Sequence, residues 1–208
     1  LSVHAGIWTS AALAAAPQDV PRIRAHLAGL TRALGVDAGG HTGKALVHAL
    51  TELPHDLLIG FGDADLERTA AAMISLVDRP RPKLLLVRAP LERHMFAFVW
   101  LPRDAVSTAV RRQVQWLLES STEGQALDWS LEVEGGSLAL LRFVIDVRDS
   151  KAVANEAELD ARLQAMVRGW GEAVEAELGN AGEAGRAAAL AARYADAFPQ
   201  SYRIAYGP

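Results

Sequence analysis

Apolar positions in the first 78 residues recur at steps of three and four, the period of an amphipathic helix. Pro21 suits a first helical turn. Ile23, Leu27, Leu30 and Leu34 follow on one face, and Gly35 suits the end. Leu46, Val47, Leu50 and Leu53 form a second stripe, which Pro54 stops. Leu66, Ala70, Met73, Ile74 and Val77 form a third, with Asp63 or Asp65 as its cap. Thr42 is a cap candidate for the second. Only Val3–Thr9 and Leu57–Phe61 carry strand-like runs in this part.

The period changes after Arg79-Pro80-Arg81-Pro82, where two prolines forbid a continuing helix. Lys83–Arg88 reads as a strand, Ala89–His94 as a turn and Met95–Leu101 as a second strand. Val106, Val110, Val114 and Leu117 mark one side of a helix over Val106–Leu118, with Trp116 beside them. Then Leu127, Trp129, Leu131 and Val133 alternate with Asp128, Ser130, Glu132 and Glu134. That is a half-buried strand near a sheet edge. Gly135-Gly136 reads as a hairpin loop, and Leu138–Val147 returns with all odd positions apolar. Leu159, Leu163, Met166, Val167, Trp170, Val174 and Leu178 predict one long helix ending at Gly179, and an Ala-rich helix spans Gly185–Ala197.

From Met95 the order is strand, helix, strand, strand, helix. These are five of the six elements of a ferredoxin-like βαββαβ unit. The sixth strand is absent after the last helix. The hairpin joining Lys83–Arg88 to Met95–Leu101 can supply it in permuted order. The expected fold class is therefore α+β, with residues 1–78 mainly helical, 79–180 the sheet domain and 181–208 a helical connector. Within Met95–Leu101, Met95, Ala97, Val99 and Leu101 point one way and Phe96, Phe98 and Trp100 the other. Both faces are apolar, as in a central strand covered on both sides. The two helices of the unit cover one face only. The aromatic face needs another cover: the helical N-terminal part, a second copy, or a neighbour in a longer protein. Phe96, Phe98 and Trp100 are thus the candidate interface residues.

Composition narrows the function. Net charge is −4 with pI near 5.9, and the basic stretch Arg79-Pro-Arg81-Pro-Lys83 has no aromatic platform, so no nucleic-acid partner is expected. There is no cysteine, which removes disulfides, thiolate metal sites and Cys nucleophiles and fits a reducing, cytoplasmic setting. Apolar runs fall far short of the roughly 20 residues that span a bilayer, and no signal-peptide pattern is present. No membrane partner is expected. The opening LSVHAGIWT reads like a strand entered midway, as in a piece cut from a longer protein.

No catalytic constellation stands out. GGHTGKA at Gly39–Ala45 fails as a phosphate loop: Ala38 stands at the first Gly, Ala45 replaces Ser/Thr, and no strand precedes it. His41, His48 and His55 are seven apart, but Pro54 breaks their helix, and no metal site is expected. Arg103-Asp104 sits where the central strand hands over to a helix. Architecture is the simpler reading, with Pro102 ending the strand and Asp104 or Ser107 capping the helix. The functional reading is a ligand loop in which Arg103 holds a carboxylate.

Several stretches resemble the large bacterial NAD-specific glutamate dehydrogenases. Val3–Ser10, VHAGIWTS, is similar to that family's aromatic/Gly-Leu-(Phe/Tyr)-Thr-Ser segment. VPRIRAHLAGL at Val20–Leu30 resembles its Ile-Pro-x-Leu-Arg helix start. His41–Leu58 resembles its His-x-Gly-Lys-x-Leu … Pro-Arg-Asp-Glu-Leu run, and FVWLPRD its Val-(Tyr/Phe)-Val-Pro-Arg-Asp stretch. RYADAFPQSYR at Arg193–Arg203 resembles its Arg-Tyr-x-x-Ala-Phe-Pro-x-x-Tyr segment. Departures fall at His55, where the family has Arg, at Ala89–Leu91, and at Leu138–Phe143.

The resemblance implies an ACT-like ferredoxin-fold module from the N-terminal, non-catalytic part of such an enzyme. Its catalytic residues and NAD site lie elsewhere in the parent chain, so no cofactor is expected on this chain itself. Other domains of the parent and a homo-oligomer are the implied partners. ACT modules often bind amino acids at the loop after the first strand, which makes an amino-acid effector at Arg103 and Asp104 the alternative. That loop, Pro102-Arg103-Asp104-Ala105, lacks the usual glycine, which favours the structural reading.

Overall fold

A computed structural model describes residues 6–7, 9–37, 39–51, 53–89, 91–133, 136–167, 170–183, 185–194 and 197–198. Its helices are α1 (Ser10–Leu13), α2 (Pro21–Ala33), α3 (His41–Thr51), α4 (His55–Gly60), α5 (Asp63–Asp78), α6 (Thr108–Thr122), α7 (Glu156–Met166), α8 (Trp170–Leu178) and α9 (Ala187–Tyr194). Its strands are β1 (Lys83–Arg88), β2 (His94–Pro102), β3 (Gln125–Glu132) and β4 (Leu138–Asp146). Two compact units divide at Asp160/Ala161.

The first unit is built on one antiparallel four-stranded sheet in the order β1-β2-β4-β3. This is the ferredoxin-like order with β1 in the place of the missing last strand, as the permuted reading predicts. β2 is central, with Leu85 opposite Phe98 on one side and Arg142 opposite Phe98 on the other. Its Ala97, Phe98, Val99 and Leu101 are fully buried. On one face α6 packs Val114, Leu117 and Leu118 into the interior.

The other face is covered by the chain's own α2–α5. Ile23, Leu27 and Leu30 of α2, Leu46 and Leu50 of α3, Leu58 of α4 and Leu66, Ala70, Met73 and Leu76 of α5 share one core with Leu85, Val87, Phe98, Trp100 and Leu140 of the sheet. Phe61, between α4 and α5, meets Phe96 and Phe98 at 6.0 Å each, and Phe98 stacks on Trp100 at 6.1 Å. Edge-to-face and offset contacts of this kind add to area burial.

Local expectations are corrected in four places. Leu57–Phe61 is not a strand; α4 covers Leu57, because Pro54 starts a new helix rather than only ending the last one. α5 is entered from Gly62 with no side-chain cap, and Asp63 and Asp65 lie within its first turn. There they act on the positive end of the helix. Thr42 likewise lies inside α3. The apolar row of β3 is at the sheet edge as predicted, yet Leu127, Trp129 and Leu131 stay 41–54% exposed. A bulge between Ala126 and Asp128 makes Leu127 the extra residue. Val3–Thr9 and Gly135 fall largely outside the described residues.

The second unit holds the end of α7, then α8, a π-helical stretch at Gly179–Glu183 and α9, with α8 and α9 packed together. The single long helix expected over Leu159–Leu178 is described as α7 and α8, with 168–169 outside the described residues. α9 buries Ala187 and Ala191. Small side chains on that face let helices approach closely.

Candidate functional site

Three places hold polar groups that the fold positions. The first is the loop after the central strand. β2 ends at Pro102, and Arg103–Ala105 forms one 3₁₀ turn closed by the Val106 N–H donating to the Arg103 carbonyl at 3.2 Å. The Arg103 N–H donates to the Ser137 carbonyl at 3.1 Å, which ties the loop to the start of β4. Ser107, not Asp104, caps α6: its hydroxyl accepts from the Val110 N–H at 3.1 Å. Arg103 and Asp104 are both exposed, and neither lines the cavities of about 260, 410 and 530 Å³ found elsewhere on the chain.

The second place is the outer edge of β1. The Leu84 N–H donates to the Asp160 carboxylate at 2.7 Å, and the Leu86 N–H to Glu156 at 2.8 Å. Arg68 of α5 donates to the Leu86 carbonyl at 2.6 Å, and Lys83 pairs with Asp160 at 2.9 Å. Glu156 and Asp160 are four apart on α7, so one helix face presents both carboxylates to alternate strand N–H groups. Side chains thus occupy the groups through which an open edge recruits another strand.

The third place is the opposite edge. On the aromatic face, Arg142 of β4 stands between Phe98 of β2 and Ser130 of β3 in register. Its Nη2 donates to Glu132 at 2.5 Å, while its buried Nε has no partner. A cavity of about 260 Å³ opens here, with Phe96, Phe98 and Arg142 on the sheet, Pro54 and Leu57 on the helical side, and Ser130 and Asp128 at the rim. On the other face of β3, Arg111 lies over the Trp129 ring at 4.7 Å. Arg111, Gln115 and Glu119 form a relay along α6 that ends at the Ala126 N–H, 3.0 Å from Glu119.

Two other cavities are less defined chemically. One, about 410 Å³, is lined by Arg22, His26, Asp63 and Glu67. His26 Nδ1 lies 3.3 Å from Asp63, and its buried Nε2 has no partner. The other, about 530 Å³, is lined by the exposed Arg88, Arg93 and Arg148. Arg148 is already held by Asp146, whose carboxyl it keeps at about 2 instead of 3.8, chiefly through the side-chain hydrogen bond. Among the described residues no cluster of His, Asp and Glu could hold a metal ion.

Comparison with known proteins points one way. The family model "Glutamate dehydrogenase, ACT2 domain" matches residues 83–171, "helical motif 1" of the same enzyme matches 20–79, and "helical motif 2" matches 177–208. The chain belongs to the glutamate dehydrogenase family. It carries that family's ACT2 domain between two of its helical motifs.

Curated relatives agree. The NAD-specific glutamate dehydrogenase of Halomonas elongata is 28% identical over 200 residues, covering 95% of this chain. Those of Pseudomonas aeruginosa and Mycobacterium tuberculosis are each 26% identical, covering 98%. The chain spans only 12–13% of the length of these relatives.

The structure locates the family departures too. His55 is buried at the start of α4, and its Nδ1 faces the Ala12 carbonyl at 3.1 Å. A carbonyl only accepts, so the Nδ1 carries the proton. Leu138–Phe143 is β4, and its Arg142 is the polar group that sequence reasoning passed over. The signal was present: one arginine in a strand otherwise apolar on both faces from Leu138 to Ile145. Ala89–Leu91 is the β1–β2 turn, with Glu92 at a left-handed φ of 56°; Pro90 lies outside the described residues. Most of Arg193–Arg203 does so as well.

Proposed function

We propose that this chain is a non-catalytic region of an NAD-dependent glutamate dehydrogenase and acts in the assembly of that enzyme. The parent would deaminate L-glutamate oxidatively to 2-oxoglutarate and ammonia with NAD, using residues elsewhere in its length. The carrying observation is the uneven treatment of the two sheet edges. β1 is sealed by Glu156, Asp160 and Arg68. β3 instead presents Leu127, Trp129 and Leu131, with Val133 beyond its end, all 41–54% exposed. A contiguous apolar row of this kind is the mark of a docking surface. Other domains of the parent, or a second copy in a homo-oligomer, are its partners. Arg103 and Asp104 are exposed on a glycine-free turn and line none of the three cavities described above, which favours assembly over an amino-acid effector there.

The test is complementation. The remaining domains of the enzyme, expressed separately, should bind this chain and gain activity. Trp129→Lys with Leu131→Lys should abolish both while the chain still melts cooperatively. Turnover by this chain alone, or complementation indifferent to the β3 variant, sinks the reading. Thermal unfolding with NAD, 2-oxoglutarate and each amino acid is the control. An effector bound at Arg103 would raise the midpoint and lose that effect in Arg103→Ala.

A further inference from the structure

The recess between the β1–β2 turn and the turn after β4 has a chemistry that assembly does not use. Its volume is about 530 Å³, and its lining is mostly polar. The two turns are tied together. The Val147 N–H donates to the Arg93 carbonyl at 2.9 Å, the Ala89 N–H to the His94 carbonyl at 2.9 Å and the Ser150 N–H to the Val147 carbonyl at 3.2 Å. Arg88, Arg93 and Arg148 line the recess, and all three are exposed, so a solute can reach them. Among the described residues the guanidinium groups of Arg88 and Arg93 have no hydrogen-bond or ion-pair partner. Arg148 differs. Its Nε donates to both Asp146 carboxylate oxygens at 3.0 Å, which fixes the guanidinium and balances its charge. Its Nη1 has no partner among the described residues. The opposing charges are Glu92, which lines the recess, and Asp149, which acts on Arg148. Two unneutralised arginines thus stand against one carboxylate in the lining. Like charges gathered in one recess repel, and an anion held by both relieves that repulsion.

We infer that this recess binds a small soluble phosphate ester of a hydroxylated compound. Arg88 and Arg93 present their forked donors to the phosphoryl oxygens in charge-assisted bonds. Arg148 adds its Nη1 from a guanidinium that Asp146 already holds in place. The Glu92 carboxylate only accepts, so it takes a hydroxyl of the ligand and disfavours a second anionic group there. The volume lies within the roughly 300–1,000 Å³ of small-ligand sites. The same chemistry fits a sugar phosphate and a nucleotide. The recess lies at the opposite end of β2 from the Pro102–Asp104 loop, and the inference does not depend on the assembly reading.

Calorimetric titration of the 208-residue chain with ribose 5-phosphate, AMP, adenosine and glutarate tests this, in roughly 0.15 M salt so that diffuse attraction is screened. At least one of the two phosphate esters should saturate, with adenosine and glutarate about tenfold weaker or more. Tighter binding of AMP than of ribose 5-phosphate supports the nucleotide form, and the reverse order supports the sugar-phosphate form. Arg88→Gln and Arg93→Gln change exposed positions and should each weaken binding about tenfold with the melting profile kept. Arg32→Gln, at an exposed arginine of α2 outside the recess, should bind as the unsubstituted chain does. Equal binding of AMP and adenosine, glutarate binding as tightly as the esters, undiminished binding in Arg88→Gln or Arg93→Gln, or an equal loss in Arg32→Gln overturns the proposal. So does the absence of saturation by either ester, in which case the three arginines are only solvated.

Discussion

At the scale of single residues, Asp146 and Arg148 tie the end of β4 to the loop before α7. The Asp146 carboxylate accepts from the Arg148 Nε at 3.0 Å and from the Arg148 backbone N–H at 3.1 Å. These bonds, the side-chain one first, hold its pKa at about 2, below 3.8. The folded-state pKa is depressed, so the contribution to stability is fully present above about 3.8 and lost as pH falls toward 2. Asp146→Asn should therefore melt below the parent chain at pH 6 and level with it near pH 2, by thermal scans at both. Arg148 is half exposed, so the gap should narrow in high salt. Gly124, which follows α6, is a glycine for a steric reason. A Cβ there would meet the Asp146 carbonyl oxygen at 2.6 Å and Ile145 Cγ2 at 2.8 Å. A backbone oxygen cannot step aside cheaply. Gly124→Ala should cost about 1–3 kcal/mol, lowering the midpoint by roughly 3–10 °C. An unchanged midpoint would mean the loop shifts freely. Long-range contacts of this kind leave no local pattern, which is why Gly124 and Arg142 were harder to read than any strand.

At the scale of elements, the periods were legible because each element has a face to bury. Lys83–Arg88, the alternation in β4 and the stripes of α2, α3 and α5 stand where their spacing puts them, except that Leu76 and not the exposed Val77 closes the α5 stripe. What failed was short-range ambiguity. Leu57–Phe61 is too brief to tell a strand from a helix by period alone. The bulge at Leu127 has no signature except its result. The sealing of β1 was also invisible, because Glu156 and Asp160 lie about seventy residues from the N–H groups they accept. That contact gives the element-scale prediction. Glu156→Ala and Asp160→Ala should each cost about 1 kcal/mol and speed hydrogen exchange at the Leu86 and Leu84 amides respectively. Together they open the β1 edge, and light scattering should then report association beyond that of the unsubstituted chain. Unchanged exchange at both amides would mean that water or another group already serves the edge.

At the scale of the molecule, the sequence divides near residue 79 by every local criterion, and the family models divide there too, ending at 79 and resuming at 83. The core does not. α2–α5 and the aromatic face of the sheet bury one continuous cluster in which Phe61 touches Phe96 and Phe98. The sequence could state that Phe96, Phe98 and Trp100 need a cover, but not which of three candidates supplies it, because a stripe on a helix does not name its partner. The physical consequence is that the sheet is not an independent unit. Residues 79–208 alone would expose Leu85, Val87, Phe98, Trp100 and Leu140, all now buried. At about 1.5–3 kcal/mol for each large side chain, the lost burial is on the order of 10 kcal/mol. That rivals the roughly 5–15 kcal/mol by which whole domains are stable. The truncated chain should bind a hydrophobic dye, lose its cooperative melt and associate through the aromatic face. The chain beginning before α2 should do none of these. A soluble 79–208 with a sharp transition and no dye binding would mean that the aromatic face can repack without its helices, and that the two family motifs are separate folding units after all.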